Sequence, residues 1–301
     1  MEAKQKSMYA RSLIEASLDP LVTISTEGKI TDMNEALTSI TGVSREQLKG
    51  TDFKDYFTDP KKARQVYQEV FAKGFVTNYP ESVITMLATT SLGAIWSSTS
   101  PDFGFDGVYD RFSQIEPKIL FATELYNYAG KKINCLEKIE KLSSQIPSIE
   151  KVVLIDEFND LKNKETNSNH IKSPNFIKFN DLLDNTSTYI TFKQVPFDHP
   201  VYIMYSSGTT GKPKCIVHGA GGTLLQHFKE LHLHTDLKRE DKIAYYTTCG
   251  WMMWNWLVSG LQLGASVVLI DGSPVYPDNE ILWKQIEEEG ITIFGTSPKY
   301  L

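Results

Sequence analysis

The sequence predicts an α/β domain with a largely parallel sheet, preceded by a smaller, incomplete α+β segment. Three observations carry this. From about residue 80 onward, helix-length stretches alternate with short apolar runs, which is the order of a parallel sheet with crossover helices. Before residue 79 the pattern is instead a hairpin followed by short helical pieces. Between the later elements, Tyr205-Ser206-Ser207-Gly208-Thr209-Thr210-Gly211-Lys212-Pro213-Lys214 follows the apolar run Val201-Tyr202-Ile203-Met204.

The first segment reads in this order. Met8 to Ser17 is a helix, broken at Asp19-Pro20. Leu21 to Ile24 and Lys29 to Met33 are strands joined by a tight turn at Glu27-Gly28. Helical pieces follow at Glu35 to Thr41, at Ser44 to Lys49 with Ser44 as N-cap, and at Asp52 to Phe57. Asp59-Pro60 opens a longer helix through Ala72, ended by Gly74, and Phe75-Val76-Thr77 begins another strand. Asp32-Met33-Asn34-Glu35-Ala36 and the run from Thr41 to Gly50, in this setting, resemble a PAS sensory domain over residues 1–79. The resemblance implies a five-stranded sheet whose last strands are not in this segment, and hence a weak core.

The second segment, residues 80–301, starts without a linker. Asn78 and Glu81 are spaced for a capping box, with Pro80 in the first turn. A helix from Ser82 to Ser91 ends at Gly93, and Ala94 to Ser98 is a strand. The loop Pro101 to Gly104, a helix from Gly107 to Ile115 and a strand from Lys118 to Ala122 follow. A helix from Ile133 to Gln145 precedes the strand Lys151 to Ile155, and Asn159 to Ser173 is a polar, lysine-rich loop.

Composition narrows the function. The 301 residues suit two domains or one large one, and 41% hydrophobic content supplies a sizeable core. Basic residues number 31 against 37 acidic, a net charge of −6 without a basic block, so the electrostatic footprint of a nucleic-acid binder is missing. Cys135, Cys215 and Cys249 fit neither a disulfide framework nor a zinc site, which suits a reducing cytoplasm. Met1 to Lys6 lacks an apolar signal core. The apolar-leaning stretch from Val83 to Trp96 is too short to span a membrane. The six histidines show no metal spacing.

The loop after Met204 carries the chemistry. Glycines let a backbone approach an anion, consecutive N–H groups and hydroxyls then donate to it, and Lys212 and Lys214 add positive charge. The Walker spacing is not met, and Pro213 keeps a helix from starting on Lys212. The alternative is a plain Ser/Gly/Thr surface turn.

This loop is similar to the phosphate loop of the adenylate-forming superfamily of acyl-CoA synthetases. Ala88 to Ser98, His218 to Gly222, Thr248 to Asn255 and Phe294 to Leu301 extend the resemblance, and Gly250-Trp251-Met252-Met253-Trp254-Asn255-Trp256 points to its acetoacetate-activating branch. The chain then reads as a fragment of the large N-terminal domain of such an enzyme. The resemblance implies ATP, Mg and CoA as cofactors and acetoacetate or a similar short acid as substrate. It implies that Ser206, Ser207, Gly208, Thr209, Thr210, Gly211, Lys212 and Lys214 hold the ATP phosphates. Trp251, Met252 and Met253 would wall the acyl pocket, or form a buried apolar helix. Thr296 and Ser297 would lie at the acyl and adenine site, or at a plain strand–loop junction. Lys131 would reach a CoA phosphate, or be a solvated lysine. No catalytic residue and no metal ligand is assigned, because the superfamily's later segments are not in this sequence. The expectation is a ligase fragment that does not turn over ATP alone. The alternatives are a PAS-type sensor regulating the ligase half, and a fusion fragment without function of its own.

Overall fold

The computed structural model describes residues 22–24, 29–51, 71–155, 175–183, 189–206, 211–298 and 300. The helix expected at Met8 to Ser17, the turn at Glu27-Gly28, the helical pieces between 52 and 70, the polar loop at 159–173 and Ser207 to Thr210 lie outside the described residues.

In the first segment β1 (Val22–Ile24) and β2 (Ile30–Met33) pair antiparallel, as the hairpin pattern predicts. Helix α1 (Glu35–Thr41) is capped by Asn34, whose side chain accepts from Leu37 N, and ends on Gly42 in the left-handed region. Helix α2 (Arg45–Leu48) carries a reciprocal capping box between Ser44 and Gln47. Ile30, Met33 and Leu48 form a small buried cluster beneath these elements.

Strand β3 (Phe71–Phe75) departs from the sequence reading. Ala72 to Gly74 are extended and do not end a helix. β3 pairs in parallel with β4 (Ile95–Thr99) on one side and β5 (Ile119–Thr123) on the other. The physical reason is visible at Gly74. A Cβ there would stand 2.6 Å from the indole of Trp96, so this glycine makes room for a core tryptophan and does not stop a helix. The strand that the sequence pattern gave to the first segment thus sits in the sheet of the second.

That sheet has seven strands in the order β11-β10-β4-β3-β5-β8-β9, where β8 is Lys151–Ile155, β9 Phe176–Lys178, β10 Pro200–Ser206 and β11 Lys214–Gly219. Only the β10–β11 pair is antiparallel. β8 shows why its sequence is apolar from Val152 onward. Val152 and Leu154 join one core cluster with Val108, Phe112, Ile139 and Leu142, from α4 (Phe105–Phe112) and α5 (Leu136–Gln145). Val153 and Ile155 join another with Met86 of α3 (Pro80–Ser91) and with Trp254. A strand covered on both faces has no polar side to show.

Two local expectations change here. The residue preceding α3 is Tyr79, without a side-chain cap bond, so Asn78 and Glu81 form no capping box. Asn78 spends its amide elsewhere, as described below. Ile133 belongs to a strand, because β6 (Leu125–Tyr128) and β7 (Lys131–Asn134) make a hairpin before α5 starts at Leu136.

After β11, α6 (Ala220–Lys229) passes through one turn of π-helix, Glu230–His234. A second, all-parallel sheet follows, ordered β13-β12-β14: β12 is Lys242–Tyr245, β13 Ser266–Val268 and β14 Ile293–Gly295. Helix α7 (Met252–Val258) joins the two sheets, since Trp254 and Val258 enter the core of the large one while Leu257 enters that of the small one. Helix α8 (Ile281–Glu289) buries Leu282 against β12 through Ala244. Among the described residues, no helix is long and apolar enough to cross a membrane.

Replacing Gly74 by alanine should destabilise the fold by about 1–3 kcal/mol, because the added methyl overpacks against Trp96. Gly222→Ala in α6, where a Cβ meets nothing within 4 Å, should instead gain about 0.5–1 kcal/mol. Urea unfolding of the two variants beside the parent checks the contrast.

Candidate active site

Ligands of open α/β sheets bind beyond the carboxyl ends of the parallel strands. Here those ends meet across a cavity of about 150 Å³. Val76 to Asn78 follow β3, Ser100 to Asp102 follow β4, and Tyr126 to Tyr128 come from the β6 end. From the small sheet, Tyr246 to Cys249 follow β12 and Ile270 to Gly272 lie beyond β13.

Asn78 holds this seam. It is buried, and its backbone N–H donates to Asp271 Oδ1 at 3.1 Å. Its Nδ2 donates to Ile270 O at 2.9 Å, and its Oδ1 accepts from Trp254 Nε1 at 2.8 Å. Ser98 Oγ donates to Cys249 O, and the Cys249 thiol donates to Thr77 O, adding two more bonds across the seam.

The electrostatics follow from burial. Desolvation, with the nearby Asp102 adding to it, holds the Asp271 carboxyl above the ordinary carboxylate range against the pull of the Asn78 N–H. Burial likewise raises the phenols of Tyr126 and Tyr246 and the thiol of Cys249, so all three stay protonated donors at neutral pH. The buried hydroxyl oxygens of Thr99, Thr248 and Thr296 have no hydrogen-bond partner among the described residues. Each stands at a carboxyl strand end, where an orphaned buried hydroxyl suits a site that a polar ligand completes.

The loop found in the sequence is the turn of the β10–β11 hairpin. Ser206 pairs with Lys214 at its base. Tyr202 of β10 is level with Trp96 of β4 in the parallel register, which puts Ser206 level with Ser100 at the cavity end of the sheet. Gly211 has φ of +90° with open space where a Cβ would be, so backbone conformation and not crowding calls for glycine. Lys212 and Lys214 are exposed, and Lys212 pairs with Asp110 of α4 at 3.2 Å. Ser207, Gly208, Thr209 and Thr210 lie outside the described residues.

The remaining predicted residues divide. Thr296 and Ser297 directly follow β14, where Tyr246 N donates to Gly295 O, so Thr296 adjoins the cavity wall. Trp251 and Met252 are exposed while Trp254, Leu257 and Val258 are buried, so the tryptophan–methionine run is not core on all sides. Lys131 is exposed on β7 and pairs with Tyr128, a cavity residue, at the turn of the hairpin. Asn78, Asp102, Tyr126, Tyr246 and Asp271 were missed. Their signal was position, a polar residue one to five places beyond an apolar run, which acquires meaning only once the strands are ordered.

Comparison with known proteins agrees with this architecture. Residues 74–301 match the model of the AMP-binding enzyme family, and the chain belongs to that family. Residues 9–79 match the PAS fold, so the two matches overlap at 74–79, on the end of β3 and the cavity residues after it. Within the family the chain is similar to acetoacetyl-CoA synthetases. It is 50% identical to that of Gallus gallus over 232 residues, covering 76% of this chain and 34% of the relative. It is 45% identical to the acetoacetyl-coenzyme A synthetase of Rhizobium meliloti (strain 1021) over 228 residues, covering 74% and 34%. The solved acetoacetyl-CoA synthetase from Streptomyces lividans superposes with a TM-score of 0.70 at 39% identity, covering 79% of this chain and 36% of that one. The chain spans about a third of the length of the curated relatives it matches.

Asp271 gives a test of the cavity's electrostatics. Its folded pKa lies above the ordinary 3.8, so below that pH both folded and unfolded forms are protonated and burial costs nothing. As pH rises from 3.8 through the folded pKa, the cost of a buried carboxylate grows and then levels off. Asp271→Asn should therefore gain stability relative to the parent as pH rises from about 4 towards neutrality. Urea midpoints across that range check it, and a pH-independent difference would contradict it.

Proposed function

We propose that this chain carries the triphosphate-binding and acyl-binding parts of an ATP-dependent acid–thiol ligase that acts on acetoacetate or a similar short acid. The observation that carries the reading is the β10–β11 hairpin. It presents Lys212 and Lys214 at the same sheet end as the cavity, in a chain of the AMP-binding family. The names of the similar acetoacetyl-CoA synthetases supply the acid and the thiol.

In this reading the exposed ammonium groups of Lys212 and Lys214 take the β and γ phosphates of ATP, together with Ser206, Ser207, Gly208, Thr209, Thr210 and Gly211. Charge-assisted bonds of this kind are the strong ones. The α phosphate, when bound, is where the acid's carboxylate attacks. Trp251, Met252 and Met253 form the wall that shields the acyl group from water, and their partial exposure leaves room for one. Thr296 and Ser297 face the acyl and adenine end. The cavity has two carboxylates and no lysine or arginine among its lining residues, so it suits an uncharged chain better than a second anion. Lys131, at the outer rim of the cavity hairpin, takes a phosphate of CoA. Magnesium, when bound with the triphosphate, is assigned to no residue in this reading. The PAS-like segment has no assigned ligand.

Calorimetric titration with ATP tests the central claim. Lys212→Ala should weaken binding about tenfold, the scale of one hydrogen bond to a charged group. Equal affinities in parent and variant would sink the reading.

A further inference from the structure

Helix α4 forms a shelf under the far shoulder of the phosphate hairpin. Val108 and Phe112 root it in the core with no exposed surface. From that shelf Asp110 Oδ1 stands 3.2 Å from Lys212 Nζ. One residue past the helix's C-cap, Gln114 Nε2 donates to Pro213 O at 2.9 Å and also to Asp110 O at 2.5 Å. Arg111 donates to Gly107 O, and its guanidinium lies 4.6 Å from the centre of the Phe103 ring and 5.7 Å from that of Tyr205 on β10. Among the described residues Asp110 is thus the α4 side chain paired with Lys212, and Gln114 holds the backbone next to it.

We infer that Asp110 is a resident counter-ion of the phosphate loop, one that occupies the Lys212 ammonium and yields it to an incoming polyphosphate. This rests on the reading of Lys212 as a phosphate ligand. Two effects oppose each other. Holding Lys212 in place favours binding, whereas competition for its charge opposes it. Competition is the larger. Pro213 already restricts the Lys212 backbone and the Gln114 bond holds Pro213 O, so little preorganisation depends on the carboxylate. A half-exposed ion pair is also weak enough to exchange against a ligand carrying several charges.

The test is calorimetric titration of the full chain with sodium tripolyphosphate at low salt. Asp110→Asn should bind about threefold tighter than the parent, the size of one exposed ion pair. Asp110→Glu should restore parental affinity. The gain should shrink at about 0.3 M salt, where exposed charges are screened. In a Lys212→Ala background, Asp110→Asn should change nothing, since the pair no longer exists. Unchanged or weaker binding by Asp110→Asn would overturn the inference, as would an equal gain in both backgrounds, which would mark a general charge effect. Parental affinity in Lys212→Ala alone would overturn the phosphate-loop reading itself, and this inference with it.

Discussion

The arrangement depends on one strand, β3, held between β4 and β5 in the middle of the large sheet. A central strand satisfies its backbone on both edges, and each neighbour relies on it for half of its own ladder. β3 fits because Gly74 has no side chain where the indole of Trp96 passes. Trp96 is fully buried and fills the core cluster shared with Met86, Tyr202 and Trp254. Without a strand in this place, β4 and β5 would face each other across a gap and present open edges.

What β3 supports is the seam. It runs directly into Val76-Thr77-Asn78, and these three residues line the cavity. Asn78 then fastens the large sheet to the small one through Ile270, Asp271 and Trp254. The site is thus built mostly from the segments just beyond strand ends, which hydrogen bonds tie together across the seam. The same residues, 74–79, fall within both the PAS and the AMP-binding matches.

Much of this was legible in the chain. The apolar runs at Lys151 to Ile155 and Val201 to Met204 read as buried strands and are. Asn34 and Gly42 bound α1, and Ser44 caps α2, by local chemistry alone. The errors came where a local signal was spent on a distant partner. Gly74 looked like a helix stop but serves Trp96. Asn78 looked like an N-cap but bonds residues more than 190 positions away. From Trp251 to Val258, the buried-helix alternative holds only in part, because α7 shares its residues between two cores and an exposed face.

The sequence by itself determined the α/β class, the Gly-, Ser- and Lys-rich loop after a buried strand and the resemblance to adenylate-forming ligases, because each is written in contiguous residues. Backbone conformation, periodicity and charge in a short window are enough to specify them. Tertiary structure alone decided that β3 joins the large sheet, that the cavity lies between two sheets, and that Asp110 faces Lys212. Those are contacts between residues far apart in the chain. Their partners are chosen by steric fit and by the need to satisfy buried polar groups, and neither is expressed until the strands are ordered side by side.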